Sequence, residues 1–200
     1  MPRRIRHTIA KLSLAEKLCF IMLTLFLISL LPVCRLAFYA HPAGDDYAYG
    51  VAAHLAWTDT HSLSAVLAAA VSNVKGYYTS WQGTYSSIFF MTLMPAVWGE
   101  QYYFLGPVFI LLLLLAGSMV FTHVILRKVF RMEKWSSLAI QAVITIAEFM
   151  FIYSAQSGFY WYNGGIHYVG MHGFGLLFLS VAICLERAEG RTAKGLLFTA

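Results

Sequence analysis

The first candidates for chemistry in this sequence are two adjacent carboxylates, Asp45 and Asp46, which lie in the segment His41–Tyr47. Adjacent carboxylates repel each other, so one of them can have a raised pKa and act as a base toward a substrate. Alternatively, both can hold a divalent cation through their oxygens. A third interpretation is structural, because either aspartate can cap a helix that begins near Tyr47 while the other stays free. Tyr47 itself is a candidate contact to the same ligand.

An aromatic cluster with interleaved polar side chains follows at Tyr77–Tyr85. Aromatic faces stack on sugar rings as well as on apolar groups, and amides and hydroxyls form hydrogen bonds to sugar hydroxyls. Within the cluster we single out Trp81 and Gln82, followed by Gly83, as candidate substrate contacts. The alternative is an aromatic belt at the level of the lipid headgroups.

A second aromatic cluster occupies Phe159–Tyr168 and contributes the candidate substrate contacts Trp161, Asn163 and His167. His167 and His172 are five residues apart, which separates them by about 140° around a helix, so we do not expect them to bind one metal together. A role for these histidines in ligand binding or proton transfer competes with simple hydrogen bonding at the membrane interface.

Glu148 is an ionisable residue inside an apolar stretch and shares a helical face with Gln141 and Thr145. Such a group must face a bundle interior or a wet cavity, because a carboxylate exposed to lipid is costly. Glu148 is therefore a candidate substrate-binding residue. The alternative is a protonated glutamic acid that is hydrogen-bonded to a neighbouring helix.

His54 and Lys75 complete the candidate set for substrate binding. His54 follows Asp46 by two helical turns on the same face, so it can share a pocket with that aspartate. Lys75 and Arg35 are the basic residues outside the clusters described below, and either can meet a lipid phosphate.

The composition indicates that lipid is the solvent for much of the chain. Of its 200 residues, 60% are hydrophobic and 12% are charged, and the mean hydropathy is +0.67. A water-soluble domain needs more charge to cover its surface. The net charge is +5, but the basic residues lie in short clusters beside apolar stretches, so we expect no nucleic-acid partner. The three cysteines fall in or beside apolar stretches and suggest neither a disulfide nor a metal site.

Four apolar stretches predict an all-α membrane protein with four transmembrane helices. They are 18–39, 104–126, 135–153 and 166–185, and the connecting segments are 1–17, 40–103, 127–134, 154–165 and 186–200. Twelve of the 14 Lys and Arg residues lie in 1–17, 127–134 and 186–200. Because basic residues near span ends stay in the cytoplasm, these segments are predicted to be cytoplasmic and the aspartate pair to lie on the opposite side.

The long outer segment 40–103 is predicted to contain interfacial helices. The stretches 47–57 and 63–75 have helical character and are separated by a turn-like segment at 58–62. The apolar segment 85–98 is too short to cross the membrane and contains Pro95, which favours an interfacial or re-entrant helix. The apolar end of the sequence, 196–200, resembles the start of a further span, and we expect the chain to be the N-terminal portion of a longer protein.

The order of these features resembles the GT-C superfamily of multi-span membrane glycosyltransferases. A basic start and one span precede an acidic pair in a long outer loop, and then come Trp81–Thr84 and Tyr160–Gly164. The closest resemblance is to an uncharacterised bacterial branch that carries Asp-Asp-Tyr/Phe and Trp-x-Gly in this order. Two features differ from that pattern. Thr84 stands where many relatives have Arg, and the superfamily has about twice as many spans or more.

The resemblance implies transfer of a sugar from a polyprenyl-phosphate donor to an acceptor in the cell envelope, at the bacterial inner membrane. Asp45 or Asp46 would then deprotonate the acceptor hydroxyl or orient a divalent cation, and Trp81 would line the pocket. Two other functions are weighed against this one. The chain can be a transporter or flippase subunit that uses Glu148 and the histidines, or a scaffold that associates with other membrane subunits without catalysis.

Overall fold

A computed structural model describes residues 12–187, and the regular secondary structure in this range is entirely helical. We number the helices in chain order. They are α1 (Leu14–Ala37), α2 (Asp46–Thr60), α3 (Leu63–Ser80), α4 (Tyr85–Thr92), α5 (Leu105–His123), α6 (Lys134–Met150) and α7 (Tyr162–Glu186). Turns of 3-10 helix, Pro95–Trp98 and Glu100–Tyr102, precede α5, and π-helical turns are Val124–Val129, Gln156–Tyr160 and, within α7, Ile166–Gly170. The predicted all-α class is confirmed for the described residues.

Three stretches of helix among the described residues are long and apolar enough to cross a membrane. They are Leu14–Ala37, Glu100–Val129 and Tyr162–Glu186, and each overlaps a predicted span. Helix α6 covers most of the predicted span 135–153 but contains 17 residues. At 1.5 Å per residue, α6 is about 25 Å long, which is somewhat less than the roughly 30 Å of hydrocarbon in a typical bilayer.

The starts of α1 and α6 are stabilised by side chains that satisfy free backbone amides of the first turn. Ser13 N donates to Glu16 Oε2 at 2.8 Å, and Glu16 N donates to Ser13 Oγ at 3.2 Å, so α1 begins with a capping box. Before α6, the Glu133 carboxylate accepts hydrogen bonds from Trp135 N and Ser136 N, each at 2.9 Å. These backbone bonds lower the pKa of Glu133.

The described residues form two compact units. Unit 1 contains residues 12–31, 115–151 and 174–187, and unit 2 contains Pro32–Leu114 and Ile152–Gly173. In unit 1, the Phe26 and Phe149 rings meet edge to face at 6.3 Å, and the Ser118 and Thr145 hydroxyls are 3.3 Å apart. Gln141 is also buried, so α6 directs a polar stripe into the interior of unit 1.

Unit 2 is built around the helical hairpin of α2 and α3. His61, at φ +48°, lies in the left-handed region and donates its backbone N–H to Trp57 O, which ends α2. Helix α2 packs against α3, α4 and the turn Pro95–Trp98, and α3 also packs against α4. Small side chains at the helix contacts allow this close approach; the buried residues here include Ala53, Val66, Ala70, Ile88 and Val97.

Candidate functional site

Unit 2 contains a cavity of about 210 Å³ that brings together six of the predicted site residues. Its lining includes Asp45, Trp81, Gln82, Trp161, Asn163 and His167. We call it the aspartate cavity. These side chains come from three regions of the chain, which are the start of α2, the end of α3 and the start of α7. The two aromatic clusters of the sequence are therefore neighbours across one space, with a carboxylate in its wall.

Asp46 is fully buried, and its carboxylate is an anchor for the surrounding backbone. Its Oδ2 accepts from Tyr103 OH at 2.6 Å and from Ala43 N at 3.1 Å, and its Oδ1 accepts from Asn163 N at 3.0 Å. Burial raises the pKa of Asp46, and the three hydrogen bonds act in the opposite direction. Because its oxygens accept these hydrogen bonds, Asp46 holds the backbone next to the cavity and does not line the cavity itself.

Tyr103 is a central residue of this anchor that sequence reasoning missed. It is 1% exposed, and its hydroxyl accepts a hydrogen bond from Tyr162 N at 2.9 Å while it contacts Asp46. The same hydroxyl lies 3.2 Å from Tyr160 O. One phenol thus holds together the start of α2, the residues before α5 and the start of α7. Nothing in the local sequence around Tyr103 distinguishes it from an interfacial tyrosine.

Asp45 is the available carboxylate of the pair. It is exposed, it lines the aspartate cavity, and its Oδ1 accepts from Asn163 Nδ2 at 3.3 Å. Asp45 occupies the N-cap position of α2, but its side chain forms no capping hydrogen bond. The capping interpretation of Asp45 is therefore wrong in this structure, and the carboxylate is free to meet a ligand.

Stacked aromatic rings form the wall contributed by α3. The Tyr49 and Tyr77 rings stack with their centroids 4.8 Å apart, and Tyr77 contacts the Trp81 ring at 5.9 Å. Burial raises the pKa of Tyr49 to about 12, so this phenol stays protonated at neutral pH. Trp81 is 63% exposed, and Gln82 lies beside it in the cavity wall. An exposed indole face next to an amide is suited to a ring that carries hydroxyl groups.

The wall contributed by the start of α7 contains two buried polar atoms without a hydrogen-bond partner, Trp161 Nε1 and Asn163 Oδ1. Gly164 allows the chain to pass here, because a Cβ at this position would lie 2.5 Å from the Trp161 ring and 2.8 Å from Ser157 O. Buried polar atoms in folded proteins almost always have a partner. Both atoms have less than 1 Å² of accessible surface, so a bound molecule reaches them only if the side chains of this wall shift.

His167 is held by a serine that the sequence did not single out. Its Nδ1 is 2.9 Å from Ser87 Oγ, and Ser87 Oγ donates to Thr84 O at 3.2 Å. Ser87 has one hydroxyl proton, so both contacts form together only when His167 Nδ1 carries a proton and donates it. In the neutral ring, Nε2 then has the free lone pair, and His167 adds a hydrogen-bond acceptor to the cavity.

Tyr47 and His54 lie elsewhere, in the lining of a second cavity of about 180 Å³ that we call the His54 cavity. His54 Nδ1 donates to Val97 O at 2.8 Å, and Glu100 lies at the same cavity. The remainder of the lining is mostly apolar, with Met94 among it. The predicted pocket shared by His54 and Asp46 is not seen.

Three further residues from the sequence analysis do not line the aspartate cavity. Lys75 is exposed on α3, His172 is exposed on α7, and neither lines the His54 cavity. Glu148 belongs to unit 1, where its Oε2 is buried without a hydrogen-bond partner. Among the residues the structure describes, no group of three or more His, Cys, Asp or Glu side chains is arranged to hold a metal ion.

Comparison of the chain with protein-family models, with curated proteins and with solved structures gave no match. The aspartate cavity combines one accessible carboxylate, two exposed or partly exposed indoles and several hydrogen-bonding groups. Such a site can bind a polyol ring and accept a proton from one of its hydroxyls.

Proposed function

We propose that this protein is an integral membrane glycosyltransferase of the GT-C type, which transfers a sugar from a polyprenyl-phosphate donor to a cell-envelope acceptor. The observation that carries the proposal is the meeting of Asp45 with Trp81, Gln82, Trp161 and Asn163 in one cavity. A carboxylate base and aromatic stacking surfaces are what a sugar-transfer site requires.

We further propose four spans, a cytoplasmic N-terminus and a location in the bacterial inner membrane. The hydrogen bond from Asn163 N to Asp46 supports this topology, because both residues must then lie on the same side of the bilayer. The chain between them consequently crosses an even number of times. Helix α5 supplies one crossing, and α6 is a better second candidate than the shorter segment Tyr85–Trp98. The distribution of Lys and Arg supports a position of the aspartate cavity outside the cytoplasm.

In the proposed reaction, Asp45 accepts the proton of the acceptor hydroxyl while the hydroxyl oxygen attacks the anomeric carbon of the donor. The bond from that carbon to the phosphate oxygen breaks, and polyprenyl phosphate leaves with the electron pair. Asp46 takes no part in proton transfer; it positions Asn163, whose side chain in turn contacts Asp45. Holding the reacting groups in this way lowers the entropic cost of the step.

The predicted divalent cation fits the described residues poorly. Asp46 already accepts three protein hydrogen bonds, so Asp45 alone of the pair is available as a ligand. A Mg²⁺ or Ca²⁺ site normally uses several oxygen ligands. We therefore derive no step through a metal ion.

The polyprenyl chain needs an apolar path, and the segment around Pro95–Trp98 is our candidate for it. Met94 and Ala96 line the His54 cavity, whose surface is largely apolar. Helix α2 borders both cavities. It contributes Gly50 to the lining of the His54 cavity and Tyr49 to the lining of the aspartate cavity. An isoprenoid in the His54 cavity and a sugar in the aspartate cavity would match the polarity of each cavity.

The proposal is tested by measuring sugar transfer from radiolabelled polyprenyl-phosphate hexoses in proteoliposomes, with bacterial membrane lipids as the acceptor source. We expect Asp45→Asn to lower the rate at least about 100-fold, because the amide cannot accept the proton. Asp59→Asn is the matched control, since Asp59 is an exposed acid on the same helix and does not line the cavity. Equal rates for the native protein and Asp45→Asn would contradict the catalytic role.

A second candidate function, proton-coupled transport, is favoured by Glu148. A carboxyl that carries protons within a membrane helix is expected to be buried and without a fixed partner. Glu148 Oε2 in α6 is buried and has no hydrogen-bond partner. Substrate uptake by proteoliposomes without sugar transfer would support this candidate over the transferase.

A further inference from the structure

Asp45 supplies the one carboxylate that lines the aspartate cavity among the described residues. Asn163 is 1% exposed, and its Nδ2 donates to the Asp45 carboxylate at 3.3 Å. Turning the amide over would bring two oxygens together, so the charge of Asp45 fixes the orientation of the Asn163 side chain. Asp45 itself is exposed, so its carboxylate remains open to a ligand.

The lining of the aspartate cavity combines uncharged polar groups with one carboxylate. The Gln82 amide and the Tyr49 and Tyr168 hydroxyls can donate as well as accept hydrogen bonds, whereas the Asp45 carboxylate only accepts. Among the described residues, neither Lys nor Arg lines this cavity. A wall that carries a carboxylate and neither Lys nor Arg accommodates a neutral ligand, attracts one with an amino group and repels one with its own carboxylate.

We propose that the aspartate cavity binds an uncharged or amino-bearing sugar ring and discriminates against acidic sugars. Ring hydroxyls donate to Asp45 and form hydrogen bonds with the Gln82 amide, and an amino group is attracted by Asp45. The inference rests on the proposed function, because the bound ring is the sugar that the reaction uses. It adds the class of sugar, which the catalytic role of Asp45 alone does not specify.

Binding is measured with the full chain in phosphatidylcholine nanodiscs, because alkyl glycoside detergents would themselves compete for the cavity. The probes are butyl β-glucoside, butyl β-glucosaminide and butyl β-glucuronide, which share one aglycone and differ in the charge of the ring. Isothermal titration should give a dissociation constant for the glucuronide at least about tenfold higher than for the other two. This comparison uses the native protein, so it does not depend on the folding of a variant.

Asp45→Asn removes the charge and keeps the size of the side chain, and we expect it to bring the dissociation constant of the glucuronide to within about threefold of that of the glucoside. Asp59→Asn is the matched control, because Asp59 is an exposed acid in the same unit and does not line the cavity. Equal effects of the two variants, equal affinity for the three glycosides, or no binding of any glycoside would overturn the inference. The expected binding pattern without sugar transfer would instead support this binding site and count against the transferase.

Discussion

Asp45 and Asp46 are adjacent in the chain, yet their surroundings give them different properties. Asp46 is fully buried and accepts hydrogen bonds from two backbone amides and a phenol, whereas Asp45 is exposed at the cavity. The difference arises because consecutive side chains near a helix start point in different directions, about 100° apart. One aspartate can therefore hold the site together while its neighbour remains available for chemistry.

Asp46→Asn should destabilise the protein by about 3 kcal/mol. Each carboxylate oxygen accepts from a backbone N–H, one from Ala43 and the other from Asn163, so the amide nitrogen of Asn faces a donor in either orientation. Thermal unfolding of the purified protein measures the effect. Asp45→Asn is the control and should unfold close to the native temperature; an equal loss in both variants would contradict the anchoring role of Asp46.

Sequence reasoning selected the residues of the cavity wall better than the residues that support them. Trp81, Trp161 and Asn163 stand out because aromatic and polar side chains cluster locally beside apolar stretches. Tyr103 and Ser87 act through contacts to residues 57 and 80 positions away. Such pairings depend on tertiary packing, which leaves no periodic or local pattern to read in a single sequence.

The start of α7 is shaped by two adjacent glycines. A Cβ on Gly164 would lie 2.8 Å from Ser157 O, and a Cβ on Gly165 would lie 2.8 Å from Gly158 O. These distances are shorter than real Cβ contacts, and backbone atoms cannot move aside as a side chain can. The glycines thus let the helix start pack against the preceding π-helical turn, which puts Trp161 and Asn163 into the cavity wall.

Gly164→Ala should therefore cost about 2 kcal/mol of stability, because the added methyl group must displace the backbone around Ser157. Gly76→Ala on α3 is the control, since a Cβ there meets nothing within 4 Å and alanine is the better helix former. Differential scanning calorimetry should show a lowered transition temperature for Gly164→Ala and no lowering for Gly76→Ala. A Gly164→Ala protein as stable as native would mean that this turn repacks easily.

Hydropathy predicted the three long apolar helices of the described residues, whereas the predicted fourth span, 135–153, stays a prediction. The reason is helix length. Helix α6 has 17 residues, and α4 together with the following 3-10 turn covers only Tyr85–Trp98. The division into two compact units and the gathering of distant residues in unit 2 were beyond sequence reasoning. Composition indicates which residues prefer lipid, but it carries no information on which helices contact each other.

The proposed topology predicts which engineered cysteines a membrane-impermeant maleimide can reach in intact cells. Cys19, Cys34 and Cys184 are first replaced by alanine, because all three are free thiols. Thr60→Cys at the end of α2 should then be labelled, whereas Ser136→Cys near the start of α6 should not, since it lies beside the basic segment 127–134.

Permeabilised cells provide the control for this labelling, because both cysteines should react once the reagent enters the cytoplasm. Labelling of Ser136→Cys in intact cells would mean that α5 and α6 do not cross as a pair. Protection of Thr60→Cys would put the aspartate cavity, which lies in the same unit as Thr60, on the cytoplasmic side. Nucleotide sugars, which are available there, would then replace polyprenyl-phosphate sugars as the donors to test.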